Sequence, residues 1–288
     1  MPKPCHVDKP AELLAYLFAS WPETKKTQIR SWLKFQAVTV NGRPVTQFNH
    51  ALKPGDVVDI RSESATHSKV LPSGIRILHE DALVIVIEKP ENLLTMGTES
   101  EQEKTAFFQL TEYLNRGKQN GRERAWIVHR LDRDTSGLMV FAKSSEVAAT
   151  LQTGWDKVEK RYEAVAEGSL ASNSGVFESE LNESNPAKVF ITPATDLTRH
   201  AVTHYRVLKR GKGRTLVELT LETGRRHQIR VQLAEAGCPI VGDKKYGAKS
   251  NPAKRLALHA CLLRFPHPGT KKELCFHSPL PKELVRLV

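Results

Sequence analysis

The sequence lacks the features that would place the chain in a membrane or on a secretory route. No stretch approaches the roughly 18 consecutive apolar residues that a membrane-spanning helix requires. No apolar segment follows the positive charge within residues 1–6, so no secretory signal is predicted. The four cysteines include no CxxC pair, which favours buried reduced thiols over a metal or disulfide framework. We therefore expect a cytoplasmic protein without a membrane partner.

The familiar motifs for metals and nucleotide cofactors are missing as well. There is no dinucleotide-binding fingerprint, and none of the 11 histidines stands in an H-E-x-x-H pattern. Residues 242–250 are one residue too long for a phosphate-binding P-loop. The run that starts at Asp132 imitates a calcium loop, but Lys143 occupies the position of its bidentate glutamate. An enzyme with this sequence is expected to need no metal and no cofactor.

Negative charge is scarce relative to positive charge. The 43 lysines and arginines outnumber the 32 acidic residues, which gives a net charge of +11 and a pI near 9.5. This balance favours polyanionic partners, above all nucleic acid, because basic side chains neutralise phosphates. With 288 residues, of which 40% are hydrophobic, the chain is long enough for about two domains with real cores.

Residues 1–60 are predicted to form a small first domain. Apolar residues between 13 and 18 recur at helical spacing, and a second helix is predicted from about residue 24 or 25 to residue 36. The dipeptide Asn41-Gly42 predicts a tight hairpin turn, and residues 57–60 predict a strand. On the second helix a basic stripe repeats every four residues, with no acidic residue between its members. The stripe consists of Lys26, Arg30 and Lys34.

This order of elements over residues 11–60 resembles the small RNA-binding domain shared by a small-subunit ribosomal protein and tyrosyl-tRNA synthetases. The resemblance implies that Lys26, Arg30 and Lys34 lie against RNA phosphates. The alternative is a solvated helix face without a partner.

A polar, aperiodic stretch over residues 61–74 is interpreted as a linker, and residues 75–288 as a second domain. Strands are predicted at residues 77–81 and 83–87, the latter buried on both faces. A helix is predicted around residues 107–114, a hairpin around residues 211–213, and a helix from about residue 226 to residue 236 that stops at Gly237. Strands dominate this domain, so we predict an α+β architecture with a mixed, mainly antiparallel sheet and flanking helices.

Residues 128–143 join a dense polar turn to an apolar strand. Composition alone favours a salt-bridged loop, yet the stretch His129-Arg130-Leu131-Asp132-Arg133-Asp134-Thr135-Ser136-Gly137 resembles the signature of the RluA-type pseudouridine synthases. Further segments are similar to that family in the same order, and the match spans about residues 75–288. They are Glu88-Lys89-Pro90, residues 160–165, residues 221–230, Gly242-Asp243, Tyr246-Gly247, Leu258-His259-Ala260 and residues 265–268.

The resemblance implies that the chain isomerises uridine in structured RNA to pseudouridine and that Asp132 is the catalytic nucleophile. It implies that Tyr162 stacks on the uracil and that Arg225 pairs with Asp132 in the catalytic set. It further implies that Arg130, His227 and Arg230 bind the RNA, with the last two organising the pocket floor. Asp134 is interpreted as structural. Whether the aspartate attacks the sugar or the ring, or assists a glycal route, stays open.

Members of this family modify large-subunit ribosomal RNA, transfer RNA or both. The N-terminal module is commoner among the ribosomal RNA modifiers, which favours ribosomal RNA as the partner of a monomeric enzyme. Two other functions stay open: a non-catalytic RNA-binding or ribosome-assembly role, and removal of uracil from RNA. The presence of Asp132, Tyr162 and the motif arginine favours isomerisation over a non-catalytic role.

Overall fold

The computed structural model describes residues 5–22, 24, 26–34, 38–45, 47–60, 69–115 and 123–288. Contacts within the chain divide it into two compact units. One comprises Met1–Lys69 with Ile77–Glu80, and the other comprises Val70–Arg76 with Asp81–Val288. No helix among the described residues is both long enough and apolar enough to cross a membrane.

The described residues between 5 and 60, which make up most of the first unit, form two short helices and six short strands. They are β1 (Cys5–His6), β2 (Ala11–Glu12), α1 (Leu13–Ser20), α2 (Lys26–Lys34), β3 (Val38–Val40), β4 (Arg43–Pro44), β5 (Ala51–Leu52) and β6 (Val57–Ile60). Four of the strands form a sheet in the order β1-β6-β3-β4, and β2 pairs with β5. The helices bury apolar side chains against this sheet, among them Leu17 and Ile29 against Val38 and Val58.

The secondary structure predicted for this unit is largely confirmed. Both helices are present, although residues 35–37 at the end of the second predicted helix lie outside the described residues. Asn41 and Gly42 make the tight turn between β3 and β4 with positive φ angles of 51° and 77°. The Asn41 side chain holds the next turn, because it donates to Asp56 and accepts from the backbone N–H of Val57. Residues 61–68 of the predicted linker lie outside the described residues.

Strands dominate the rest of the described chain, as predicted. Its elements are β7 (Lys69–Val70), β8 (Arg76–Glu80), β9 (Val84–Lys89), α3 (Ala106–Asn115), β10 (Trp126–Ile127), β11 (Ser136–Ala142), α4 (Ser145–Thr153), β12 (Glu159–Glu167), β13 (Ser174–Asn182), β14 (Phe190–Ile191), β15 (Thr198–Gly211), β16 (Arg214–Leu221), α5 (Gln228–Glu235), β17 (Leu258–Pro266), β18 (Glu273–His277) and α6 (Lys282–Val285). Two 3-10 turns lie at Trp155–Lys157 and Lys244–Tyr246. The α+β prediction is confirmed.

The sheet of the second unit runs β14-β13-β15-β16-β12-β17-β11-β9, with β10 on β11 and β18 on β17. Of these pairings only β11 with β17 is parallel. Strand β11 is buried along its whole length, because it lies between β9 and β17. Strand β9 is buried on both faces, as its continuous apolar run predicts. The start of β11 is therefore anchored in the centre of the sheet.

Gly137 makes the parallel pairing of β11 and β17 possible. Its φ is 121°, and a Cβ placed on it would lie 2.3 Å from the carbonyl oxygen of Ala260. No other residue fits such a close approach of two backbones at a positive φ. The glycine thus fixes the depth at which the polar loop before β11 meets its neighbours.

Helix α5 lies close to its predicted bounds. A start at about residue 226 is predicted, and the helix starts at Gln228 because His227, with a left-handed φ of 54°, is its N-cap. Gly237, at φ 72°, follows the end of the helix as predicted. The hairpin between β15 and β16 is also confirmed, with Lys212 and Gly213 at positive φ in its turn.

Candidate active site

One cleft of the second unit collects every residue of that unit that the sequence assigned to catalysis or RNA binding. Its walls come from the loop before β11, from β12, and from the segment that leads into α5. The assigned residues in its lining are Arg130, Asp132, Tyr162, Arg225, His227 and Arg230. Residues that are 100 positions apart in sequence therefore meet at one place.

The strand registers explain how the loop and Tyr162 come together. Ala260 of β17 lies opposite Gly137 of β11 on one side and opposite Tyr162 of β12 on the other. Neighbouring strands are about 4.8 Å apart, so Tyr162 stands two strands, or roughly 10 Å, from the start of β11. The pairing of β12 with β17 shifts between Arg161 and Tyr162. Such bulges re-aim side chains, and here the bulge is at the residue that lines the cleft.

Asp132 faces two cationic or potentially cationic groups. Its Oδ2 lies 3.4 Å from Nη1 of Arg230 and 3.9 Å from Nε2 of His227. The Asp132 side chain is 24% exposed, so it is reachable from the cleft while its partners are more deeply buried. A carboxylate needs no base in order to act as a nucleophile. The cleft thus presents the Asp132 carboxylate, a group that can act as a nucleophile, with Arg230 nearby to balance its negative charge.

Arg230 is itself held by Asp243. Nε and Nη2 of the guanidinium donate to the two carboxylate oxygens at 2.7 and 2.8 Å. Burial alone would lower the pKa of Arg230, but the hydrogen bonds and charge of Asp243, together with Asp132, raise it. Arg230 therefore stays charged and in a fixed orientation beside Asp132.

The prediction that Arg225 pairs with Asp132 is wrong. Arg225 lines the cleft, but its Nε donates to the carbonyl oxygen of His200 at 3.1 Å, and its backbone N–H donates to Gln228. Arg230 takes the place at the carboxylate, because it lies on the first turn of α5, which faces the loop. Arg225 lies before the left-handed His227 and is directed towards β15 instead.

Tyr162 is partly buried and packs against the main core of the second unit. Burial raises its pKa, and the negative charge of Asp132 raises it further. The phenol therefore stays protonated at neutral pH and can donate a hydrogen bond. Its ring also offers an apolar face for a base.

The loop that carries Asp132 is held from beneath by Lys89, a residue to which sequence analysis gave no role. The Lys89 ammonium is fully buried and donates to the carbonyl oxygens of Pro90, Leu93 and Arg133 at 2.9, 2.7 and 3.1 Å. Burial lowers its pKa to about 7, although Asp132 and Asp134 oppose this shift. Lys89 was visible only as part of the Glu88-Lys89-Pro90 segment.

Two further contacts fix the loop on its other sides. The Thr95 hydroxyl donates to the carbonyl oxygen of Leu131 at 2.8 Å and accepts from its N–H at 3.2 Å. His129 accepts from the backbone N–H of Val140 and stacks on Trp155 with a centroid distance of 4.4 Å. Burial lowers the pKa of His129 to about 3, so this histidine is a neutral structural acceptor.

A buried polar chain supports the start of β11. The Ser136 hydroxyl lies 2.7 Å from Nδ1 of His259, and Nε2 of His259 lies 2.9 Å from the Ser278 hydroxyl, which donates to Glu88. Burial lowers the pKa of His259 to about 4, and the charge of Arg255 lowers it further. The Leu258-His259-Ala260 segment thus supports the sheet beneath the site.

Arg226 connects the site to the chain between β13 and β14. Its backbone N–H donates to the Glu183 carboxylate, and its guanidinium donates to the carbonyl oxygens of Glu183, Asn185 and Pro186. The two adjacent arginines before His227 therefore have different contacts. Arg225 lines the cleft, and Arg226 anchors residues 183–186 between β13 and β14.

In the first unit, two members of the predicted basic stripe share one aromatic partner. Lys26 and Arg30 lie over the ring of Phe18, at 5.6 and 5.5 Å from its centroid, and both are exposed. The side chain of Lys34 lies outside the described residues. The stripe is thus ordered at two positions by cation–π contacts with α1.

Comparisons with known proteins point to one family. The family described as RNA pseudouridylate synthase matches residues 83–235. The chain is 33% identical to ribosomal large subunit pseudouridine synthase D of Haemophilus ducreyi, over 96% of this chain and 91% of the relative. It is 34% identical to an uncharacterized RNA pseudouridine synthase, YlyB, of Bacillus subtilis, over 95% and 91%.

A solved structure of a pseudouridylate synthase domain has a similar fold. Human RNA pseudouridylate synthase domain containing 4 superposes with a TM-score of 0.61 at 28% identity, over 73% of this chain and 92% of that one. The pseudouridine synthase fold predicted for the second domain is therefore confirmed. This chain belongs to the RNA pseudouridylate synthase family.

Proposed function

We propose that the protein converts uridine to pseudouridine in large-subunit ribosomal RNA and that Asp132 is its nucleophile. The observation that carries the proposal is the position of the Asp132 carboxylate, 3.4 Å from Arg230 in a cleft that Tyr162 also lines. The choice of RNA is supported by relatives that are named ribosomal large subunit pseudouridine synthase D and that align with 96% of this chain.

The residues of the cleft match what the reaction needs. Pseudouridylation breaks the bond between N1 and the ribose and forms a bond from C5, while a proton leaves C5 and one is gained at N1. The reaction is redox-neutral and consumes no water overall, so it requires a nucleophile, a polarised pocket and an exposed base. Asp132 supplies the nucleophile, and Arg230 and His227 supply the polarised pocket.

Two residues of the cleft can stabilise a base that has been flipped out of the RNA. Tyr162 offers a ring for stacking and a hydroxyl that stays protonated. Arg130 is exposed at the rim of the cleft, where it can grip a phosphate or fill the gap that the flipped nucleotide leaves. Extrusion of a base costs a few kcal/mol, which such a contact offsets. Arg225, which also lines the cleft, is proposed to contact the RNA rather than Asp132.

The first unit is proposed to contribute to RNA binding. The support is the exposed pair Lys26 and Arg30, both ordered over Phe18, with no acidic residue between them in the sequence. Lys34 continues the same spacing in sequence. The cytoplasmic location and the monomeric state expected from the sequence stay predictions.

Release of tritium from RNA labelled at C5 of uridine tests the reaction, because isomerisation expels the C5 proton. Transcribed large-subunit ribosomal RNA is the substrate, and transfer RNA is the comparison. Asp132→Asn should abolish release, whereas Asp134→Asn, the same change two residues away, should retain it. Full activity of Asp132→Asn would mean that another residue is the nucleophile.

The products separate the alternative functions. Free uracil in the supernatant would indicate hydrolysis, and RNA binding without tritium release would indicate a non-catalytic role. Mapping of pseudouridine in total RNA from a deletion strain then identifies the position. Complementation with wild type should restore the missing site, and complementation with Asp132→Asn should not.

A further inference from the structure

Tyr246 lies next to His227, one of the residues that approach Asp132. It ends the 3-10 turn Lys244–Tyr246 and is 7% exposed. Its hydroxyl oxygen is 2.8 Å from Nδ1 of His227, and Nε2 of the same imidazole is 3.9 Å from Oδ2 of Asp132. His227 thus stands between Tyr246 and the carboxylate.

The hydrogen bonds at Tyr246 favour one position for the proton of His227. The Tyr246 oxygen accepts from the backbone N–H of Val189 at 3.0 Å. Its own proton needs an acceptor, and among the described residues the hydrogen bonds provide one, Nδ1 of His227. A neutral imidazole carries one proton, so if Nδ1 accepts, the proton is on Nε2 and faces Asp132. Burial lowers the pKa of His227, against the opposing charge of Asp132, which makes the neutral ring the relevant form.

The backbone of His227 is itself uncommon. Its φ is 54°, a left-handed conformation that residues with a side chain rarely adopt. Such conformations persist where the surroundings fix them, and they cluster at functional sites. At His227 the conformation directs the ring between Tyr246 and Asp132, and the two rings meet edge to face with centroids 5.6 Å apart.

We propose that Tyr246 is a positioning residue that holds His227 in the tautomer with its proton on Nε2, so that this N–H is presented to Asp132. The proposal rests on the proposed role of Asp132 as nucleophile. Among the described residues, Arg230 and His227 both approach Oδ2, so the proposal assigns Oδ1 to the substrate. An N–H directed at Oδ2 from 3.9 Å away adds electrostatic stabilisation of the carboxylate when it is displaced as the base rejoins through C5.

Tyr246→Phe removes only the hydroxyl, which is the acceptor of the Val189 N–H as well as the partner of His227. The ring would keep its contacts with Arg230 and Lys188, whose cationic groups lie 5.3 and 5.4 Å from its centroid. Nitrogen NMR of the full chain with labelled histidine reads the tautomer directly, with the His227 signals assigned through their loss in His227→Gln. Wild type should show a protonated Nε2 and a bare Nδ1, and Tyr246→Phe should show a mixture.

The single-turnover rate of Tyr246→Phe should fall by roughly 10- to 100-fold, by analogy with residues that orient metal-binding histidines through a hydrogen bond to their second nitrogen. RNA affinity should stay unchanged. Tyr205→Phe is the matched control, because Tyr205 stacks on Phe177 in the sheet and should leave the rate unchanged. Lys245→Met controls for loosening of the segment around Val189, since Lys245 anchors that segment at the carbonyl oxygen of Ala187.

Two substitutions at His227 provide a test that does not depend on the folding of Tyr246→Phe. The amide nitrogen of Gln can stand near Nε2, whereas that of Asn stands near Nδ1, so His227→Gln should keep more activity than His227→Asn. A protonated Nδ1 in wild type, an unchanged tautomer in Tyr246→Phe, or equal rate losses in Tyr246→Phe and Lys245→Met would each overturn the proposal. An active Asp132→Asn with the expected tautomer would instead refute the proposed nucleophile.

Discussion

Arg230 and Asp243 form a buried, two-pronged ion pair whose third guanidinium nitrogen faces Asp132. The two short hydrogen bonds, at 2.7 and 2.8 Å, fix the plane of the guanidinium, and Nη1 then lies 3.4 Å from Asp132 Oδ2. The side chains of Arg230 and Asp243 are 6% and 1% exposed. The position of the cation at the site is therefore determined by a residue that never touches Asp132.

Asp243→Asn should damage both stability and turnover. Removal of one partner from a buried pair leaves an uncompensated charge, which typically costs about 3–5 kcal/mol. We expect a loss of that order in the free energy of unfolding, measured by urea denaturation, and a large fall in tritium release. Glu273→Gln is the control, because its pair with Arg264 is exposed and such pairs contribute about 0–1 kcal/mol. Equal effects of the two substitutions would contradict the role of Asp243.

Arg230→Ala and Arg225→Ala distinguish the observed partner of Asp132 from the one that the sequence predicted. Loss of Arg230 removes the cation at Asp132 and leaves Asp243 unpaired, so the single-turnover rate should collapse. Loss of Arg225 removes a hydrogen bond to the His200 carbonyl and a cleft wall, so RNA affinity should fall more than the rate. A larger rate loss in Arg225→Ala would restore the original pairing.

Much of the fold could be predicted because local signals were strong. Asn41-Gly42 predicted its turn, Gly237 predicted the end of α5, and the apolar run in β9 predicted burial on both faces. The nucleophile loop could be located from the density of polar residues before an apolar strand together with a family resemblance. In each case a few neighbouring residues carry the information.

The contacts of the site depend on information that no short segment contains. Arg230, and not Arg225, lies next to Asp132 because of where α5 starts. That start follows from the left-handed φ of His227, a conformation that the sequence does not signal because the residue is not a glycine. The burial of Lys89 follows from its register opposite Gly137 in a neighbouring strand. Neither property has a local signal, because tertiary packing decides both.

Gly137→Ala should destabilise the protein and abolish turnover. The added Cβ would lie 2.3 Å from the carbonyl oxygen of Ala260 in a pairing that also positions Tyr162. Because backbone must move, the start of β11 and the loop before it should shift. Gly213→Ala is the matched control: its φ of 70° is also positive, but nothing lies within 4 Å of the added Cβ. We expect a much smaller loss of unfolding free energy for the control in urea denaturation, and no loss of rate.

Lys26→Ala combined with Arg30→Ala should weaken RNA binding and flatten its dependence on salt. Each lost phosphate contact should reduce the slope of log K against log salt by about 1, with the cleft left intact. Lys282→Ala with Arg286→Ala is the control, a lysine and an arginine also four residues apart and exposed at α6. Filter-binding measurements between low and high salt read the slope. An unchanged slope in the first pair would identify the stripe as solvated surface.

The Lys89→Met variant should change how stability depends on pH. Burial lowers the pKa of Lys89 from 10.5 to about 7, so between these values the unfolded chain binds more protons at this residue than the folded one. Stability therefore rises with pH wherever that difference exists. The wild-type protein should gain stability relative to Lys89→Met as the pH increases from about 7 towards 10.5, and the difference should be constant below this window. Urea denaturation of both proteins across this pH range measures the difference in their free energies of unfolding. Because the other groups titrate in both proteins, their contributions cancel in the comparison.

A difference that does not change with pH would mean that the ammonium keeps its ordinary pKa despite its burial, and that the three carbonyl oxygens around it compensate fully for the loss of water.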